Sequence, residues 1–388
     1  MSQPPARAAA FRVTGLIVLA AVSLILLSRP APADDLSFVP AYPSTALKGP
    51  QAAKGALIWS HGINSILGKE DAESPTPLFV TLFRDSGWDV FRLNRPRMSE
   101  EPRGTADELV RRVHNLKQQG YAKVVLAGQS RGAWISLMAA GQSDEIHAVI
   151  ANAPAYDGTS AGSASMKFQK NAVVLYDHLA RIHQGRIMIS FFADDAYDPG
   201  GRAAKADEIL TRNGVPHLIL DRPAELIGHH AGNSGLFMRR FGACALAVAG
   251  DGAVPRSECQ SDWGKAPSAE LGLPVDLAIA ASAGNAAVRP FLGKWYGYYA
   301  NGRELMLVIE RVHDADVEAV YAIGPGADRS AKASFTRRQG HVADGRLVFV
   351  ESGLATLRYS LRSDGKLDGE WVAATGGSHL EAVLRRLP

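Results

Sequence analysis

Between residues 123 and 140 an apolar run, Lys123-Val124-Val125-Leu126-Ala127, passes directly into Gly128-Gln129-Ser130-Arg131-Gly132 and then into Ala133-Trp134-Ile135-Ser136-Leu137-Met138-Ala139-Ala140. The first run has strand composition and the last has helix composition, so the chain must turn from strand to helix within five residues. Such a turn holds Ser130 at a strained apex and pushes its hydroxyl outward, while the flanking glycines let helix and strand cross closely. A chain carrying this feature has to surround that strand with others of the same kind.

The surrounding sequence does so. Between Lys54 and about Gly250, short apolar runs alternate with helix-length segments, the pattern of a mostly parallel sheet covered by helices. Strands are expected at residues 55–60, 88–93, 123–127, 148–152, 186–192 and 217–221, with helices around 79–84, 106–118 and 235–247. In a doubly wound sheet, ligands collect beyond the carboxyl ends of the strands, so the chemistry should follow these runs.

A serine hydroxyl is a poor nucleophile at neutral pH. It needs a base, and the base needs a third group to fix its tautomer. After the strand at 186–192 comes Ala193-Asp194-Asp195-Ala196-Tyr197-Asp198, an acidic loop in which Asp195 is the leading candidate and Asp198 and Asp194 are alternatives. After the strand at 217–221 comes Gly228-His229-His230-Ala231-Gly232, where His229 leads and His230 is the alternative base. His61-Gly62 closes the first strong strand, and the loop after it should donate one backbone N–H to an oxyanion, from Ile63. The second donor would be the amide of Arg131 at the helix start, where the helix dipole favours negative charge. His61 itself is expected to be structural.

Together these residues resemble the α/β-hydrolase superfamily over about residues 50–250: His61-Gly62 after a strand, the Ser130 elbow, the acidic loop and Gly228-His229. The resemblance implies a Ser-His-Asp hydrolase working through an acyl-enzyme, mostly on small-molecule carboxylic esters and without a cofactor. A peptidase or an acyltransferase would use the same three groups. The doubled histidine and the three aspartates leave the base and the acid open between the candidates named.

The texture then changes. Residues 255–289 are rich in Ala, Ser, Gly and Pro and read as a linker, with weak helical potential around 277–281. From Pro290 eight short segments tend to alternate apolar with polar: 294–300, 304–311, 317–323, 333–337, 346–350, 356–362, 366–372 and 379–384. Asn301-Gly302, Asp344-Gly345 and Asp364-Gly365 punctuate them, and such dipeptides favour type I′ hairpin turns. An antiparallel meander of this size can close into a small barrel and so remove its edges. A second reading therefore makes this β region a binding module for a lipid or glycan. Trp295, Tyr296, Tyr298 and Tyr299 could line its pocket, although such residues more often form core and rim.

At the amino end, Arg7 and Arg12 precede an uncharged apolar run at 13–27, followed by Pro30-Ala31-Pro32-Ala33, the pattern of a signal peptide spanning residues 1–33 and an exported protein. The run is shorter than the roughly 20 residues of a spanning helix, so no membrane span is expected in the mature chain. The expected order is thus signal peptide, catalytic domain 34–254, linker 255–289 and β domain 290–388. The chain has 42 basic and 39 acidic residues; without the three arginines before residue 34 the two counts are equal, which argues against nucleic acid as a partner. Cys244 and Cys259 are the two cysteines, and in an oxidising compartment they are expected to pair. Two cysteines without clustered histidines suggest no metal site. Residues 157–169, rich in Gly, Ser and Ala, would form either a lid or an inert loop.

Overall fold

A computed structural model describes residues 36–62, 76–95, 102–156, 165–198, 200–257, 259, 272–299, 301–326, 331–377 and 379–388; the side chains of 165–171 are not described. The proposed signal peptide, Ile63 and residues 157–164 of the expected lid or loop lie outside them.

The first seven strands are β1 (Ser37–Pro40), β2 (Ala56–Ser60), β3 (Asp89–Asn94), β4 (Val124–Gln129), β5 (Ala148–Asn152), β6 (Ile187–Phe191) and β7 (His217–Asp221). They form one sheet in the order β1-β3-β2-β4-β5-β6-β7. All neighbours are parallel except β1, which runs antiparallel to β3 at the edge. Every residue of β2, β4, β5 and β6 is buried, which is why these strands read as continuous apolar runs: each needs cover on both faces. The helices between and after the strands are α1 (Leu78–Asp85), α2 (Pro102–Gln118), α3 (Arg131–Ala140), α4 (Ser165–Ala180), α5 (Arg202–Arg212) and α6 (Gly235–Ala249). α6 starts where Ser234 Oγ accepts a hydrogen bond from the Phe237 amide at 3.1 Å, an N-cap that satisfies one orphan donor.

The elbow glycines are required by contact. A Cβ on Gly132 would lie 2.0 Å from the Ser60 carbonyl oxygen, and one on Gly128 would lie 2.3 Å from the Gly132 carbonyl carbon. β1, α4, α5 and the segment at 277–281 differ from the sequence expectation or were not named by it. β1 carries little periodicity in four residues; α4 occupies the end of the segment expected to be a lid or loop. No helix forms at 277–281, where Ala280 N–H donates to Ile309 O at 2.9 Å. A barrel-strand carbonyl there takes the backbone bond that a helix would have made internally.

The remaining strands are β8 (Lys294–Tyr299), β9 (Glu304–His313), β10 (Asp316–Ile323), β11 (Ser334–Ala343), β12 (Arg346–Glu351), β13 (Ala355–Leu361), β14 (Leu367–Ala373) and β15 (His379–Leu387). Each pairs antiparallel with the next, and β15 pairs with β8, so they close into a barrel. Alternate residues point inward: Trp295, Leu305, Leu307, Ile309, Ala319 and Tyr321 join Leu347, Tyr359 and Leu384 in the barrel core. The outward set on β8, β9 and β10, with Tyr296, Tyr298, Met306, Val308, Val320 and Ala322, is equally apolar. It joins the core under α1 and α6 that contains Phe79, Phe237 and Phe241. Three barrel strands are thus buried on both faces because the α/β region covers their outer side. At this junction Arg239 of α6 forms a bidentate pair with Glu304 of β9 at 2.9 and 2.5 Å, and Tyr296 donates to the same carboxylate at 2.6 Å. The disulfide Cys244–Cys259 ties α6 to the segment after it, with Cα atoms 5.4 Å apart.

Candidate active site

β4 ends at Gln129, and Ser130 follows with φ 55° and ψ −122° before α3 begins. A β-substituted residue reaches such a conformation only when its surroundings hold it there, typically against 1–3 kcal/mol. Here the Ser130 amide donates to Asn152 O at 2.9 Å, and its carbonyl accepts from the amides of Trp134 and Ala155 at 3.0 and 3.2 Å. Gly62 comes so close that a Cβ there would lie 3.0 Å from the Ser130 Cβ, so the loop after β2 starts beside the serine. The Arg131 amide occupies the first turn of α3, whose N–H groups have no intrahelical acceptor, and its guanidinium donates to Tyr156 O at 2.8 Å.

His61 is buried beneath this loop. Its Nδ1 donates to Gly62 O at 2.7 Å, and its Nε2 accepts from the Arg95 amide at 3.3 Å. Burial, followed by the Arg95 charge, pushes its pKa well below the usual histidine value, so it stands neutral as a brace for the loop.

The acidic loop after β6 and the histidine loop after β7 lie side by side. Ala193 and Ile227 form a parallel bridge, and the Gly228 amide donates to Ala193 O at 2.7 Å, extending the sheet by one rung. That rung brings Asp195 and His229 together: His229 Nδ1 and Asp195 Oδ1 are 2.8 Å apart. The same oxygen accepts from the Tyr197 amide at 2.8 Å. Burial alone would raise the Asp195 pKa, but the His229 charge, the His229 and Tyr197 hydrogen bonds and the Arg202 charge together hold it below the ordinary aspartate value. An ionised Asp195 keeps the proton on Nδ1 of His229 and leaves Nε2 free to act as a base. The ring of Tyr197 lies against that of His229, with centroids 4.3 Å apart. Gln129, immediately before Ser130, donates through its side chain to His229 O at 3.0 Å, which links the serine turn to the histidine loop.

Of the alternative candidates, Asp198 and Asp194 pair with other side chains among the described residues and His230 does not. His230 has its ring 5.3 Å from that of His229, its Nδ1 is buried without a hydrogen-bond partner, and burial and then the His229 charge push its pKa down to about 3. Asp198 is nearly sealed with Arg202 at 3.2 Å and accepts from the Gly200 amide at 2.8 Å. Asp194, with φ 55°, turns toward the barrel and meets Lys366 Nζ at 2.6 Å. On the barrel side of His229 lies a cleft of about 520 Å³, walled by Tyr197, His230 and Tyr298 and, across from them, by Asp368, Glu370 and Glu381 of β14 and β15. Among the described residues, none of the helices is long and apolar enough to cross a membrane, and no cluster of three His, Cys, Asp or Glu is placed to hold a metal ion.

Sequence reasoning did not assign Gln129, Tyr197 or Tyr298 a part here. Gln129 and Tyr197 stand within motifs already singled out, but nothing in the sequence joins Tyr298 to a loop 71 residues away.

No protein-family model matches the chain, and no curated protein sequence matches it. Among solved structures, it is similar to a puromycin-hydrolyzing peptidase of Mycobacterium tuberculosis (TM-score 0.40, 17% identity, 57% of this chain and 39% of that one). It is also similar to dipeptidyl peptidase 4 of Porphyromonas gingivalis (0.37, 18%, 46% and 29%) and to an esterase of Pyrococcus furiosus (0.38, 14%, 50% and 81%). The chain thus spans well under half the length of either peptidase. Nothing about its chemistry follows from likeness at this level.

Proposed function

We propose that this chain is an exported serine hydrolase that cleaves carboxylic esters, with Ser130 as nucleophile, His229 as base and Asp195 as the group that orients it. The observation that carries this reading is the buried 2.8 Å contact between His229 Nδ1 and Asp195 Oδ1, in a loop that Gln129 ties to the strained strand-to-helix turn of Ser130. In the proposed reaction, Ser130 Oγ attacks the acyl carbon while its proton passes to His229 Nε2, and the imidazolium then protonates the departing alcohol. Water, deprotonated by the same nitrogen, attacks the acyl-enzyme; the acyl–Oγ bond breaks, Ser130 Oγ takes the proton back from His229, and the acid leaves. The amides of Arg131 and Ile63 would hold the oxyanion in both tetrahedral intermediates. Export is supported by the leader-like sequence before residue 34 and by the disulfide.

The test is to treat the chain lacking residues 1–33 with a fluorophosphonate probe and with p-nitrophenyl esters of two to twelve carbons, alongside anilide analogues. Ser130→Ala should abolish labelling, and Ser130→Ala and His229→Ala should each lower kcat by about 10⁴-fold or more. Turnover of anilides with no ester turnover would move the assignment to a peptidase. Absence of both labelling and turnover in wild type would reject the hydrolase.

A further inference from the structure

Tyr298 lies on the outward face of β8 and is 6% exposed. Its hydroxyl donates to Ile227 O at 2.6 Å and accepts from the Ile227 amide at 2.8 Å. One side chain of the barrel therefore satisfies both peptide groups of a single residue, two positions before His229. That residue is also the rung that joins the histidine loop to the acidic loop. Two further contacts reach the same loops from the barrel. Lys366 at the start of β14 holds Asp194, the neighbour of Asp195, and Arg385 of β15 holds Glu225, in the histidine loop, at 3.1 Å. Asp194 and Glu225 both have positive φ, so the barrel grips each loop at a left-handed residue.

We propose that the barrel is a positioning element of the hydrolase, and that Tyr298 is the residue through which it fixes the base loop. The inference rests on His229 serving as the base. A loop residue held through one peptide group can still pivot about its neighbours. Bonds to both its N–H and its C=O fix the peptide planes on either side of Ile227; with Gly228 held through its amide to Ala193 O and its carbonyl to the Ala231 amide, and His229 O held by Gln129, they set the direction of the His229 Cα–Cβ bond. Proton transfer between Ser130 and His229 requires near-optimal geometry, so loss of this hold should act on kcat and leave substrate binding largely intact. The pairing of β8 with β15 matters for the same reason, because it fixes the strand from which Tyr298 projects.

The experiment uses the mature chain carrying Tyr298→Phe, with Leu347→Ala in the barrel core as a control that lowers stability without touching this contact. Two readouts are taken: steady-state ester kinetics, and hydrogen exchange of peptides covering residues 222–234. Tyr298→Phe is expected to lower kcat by about 10–100-fold with KM changed by less than about threefold, and to speed exchange of the Ile227 segment. Leu347→Ala should lower Tm and leave both kcat and local exchange near wild type. Unchanged exchange in Tyr298→Phe would overturn the clamp. Faster exchange with unchanged kcat would overturn its role in positioning. If wild type neither labels nor turns over ester, the hydrolase reading fails and this role falls with it, while the exchange data still report whether the clamp exists.

Discussion

The two regions place their left-handed residues differently. Among the described residues of the α/β region, the non-glycine residues with positive φ are Ser130, Ala153, Asp194, Arg222 and Glu225. The first four come just after β4, β5, β6 and β7, on the carboxyl rim of the parallel sheet. In the barrel they are Asp314 and Asp344, at the tips of the β9–β10 and β11–β12 hairpins. A hairpin tip needs positive φ only to reverse the chain, and Asp adopts it readily. A parallel strand needs no reversal at its end, so strain there has to be held by neighbours, and it turns side chains such as that of Ser130 out of the sheet. The barrel meets the rim beside it through Tyr298, Lys366 and Arg385.

The sharpest way to break this comparison is to separate neighbouring aspartates. Asp195→Asn should lower kcat by about 10³–10⁴-fold, because an amide no longer imposes the reactive tautomer on His229. Asp194→Asn should lower it only a few-fold, since that side chain faces Lys366 at the surface. Equal losses in the two variants would show that the barrel side of the acidic loop is as much part of the chemistry as Asp195.

Next in size is the junction between the regions. Arg239→Met removes the bidentate partner of the buried Glu304 carboxylate, and it should destabilise the protein by about 3–5 kcal/mol in denaturant unfolding. Arg239→Met combined with Glu304→Leu should recover much of that loss. A single-variant effect below about 1 kcal/mol would mean that the two regions hold together through apolar contact alone.

The smallest effect sharpens the electrostatics of the rim. His230, held near 3 by burial, is neutral when folded and takes up its proton near pH 6.5 when unfolded. The unfolded state therefore binds more protons between those values, and stability falls as pH drops from about 6.5 toward 3. His61, lowered in the same direction, adds to this slope. His230→Asn should flatten the fall in Tm between pH 7 and pH 4. An unchanged slope would place the acid sensitivity at other groups.

Much of this is legible in the sequence. The strands at 55–60, 123–127 and 148–152 are buried on both faces and so appear as unbroken apolar runs, which few other structures produce. The eight segments after Pro290 all became barrel strands. The turns were read less well. Asp344 and Gly345 both have positive φ, as a type I′ turn requires, whereas in Asn301-Gly302 and Asp364-Gly365 only the glycine does. β1 was missed because four residues at a sheet edge carry no usable period. The helix expected at 277–281 failed because local propensity there gives way to hydrogen bonding along β9.

The sequence by itself determined the alternation of strands and helices, the elbow at Ser130, the meander and the two loops in which an acid and a base should be sought. These are local features, set by side-chain periodicity and by which residues tolerate a tight turn. Which aspartate meets which histidine was decided only by tertiary structure, because the Ala193–Ile227 rung aligns loops about 34 residues apart. The apolar outer face of β8, β9 and β10 and the seat of Tyr298 on Ile227 were decided in the same way. A pattern of period two marks which residues share a face, but carries no information about what will cover it.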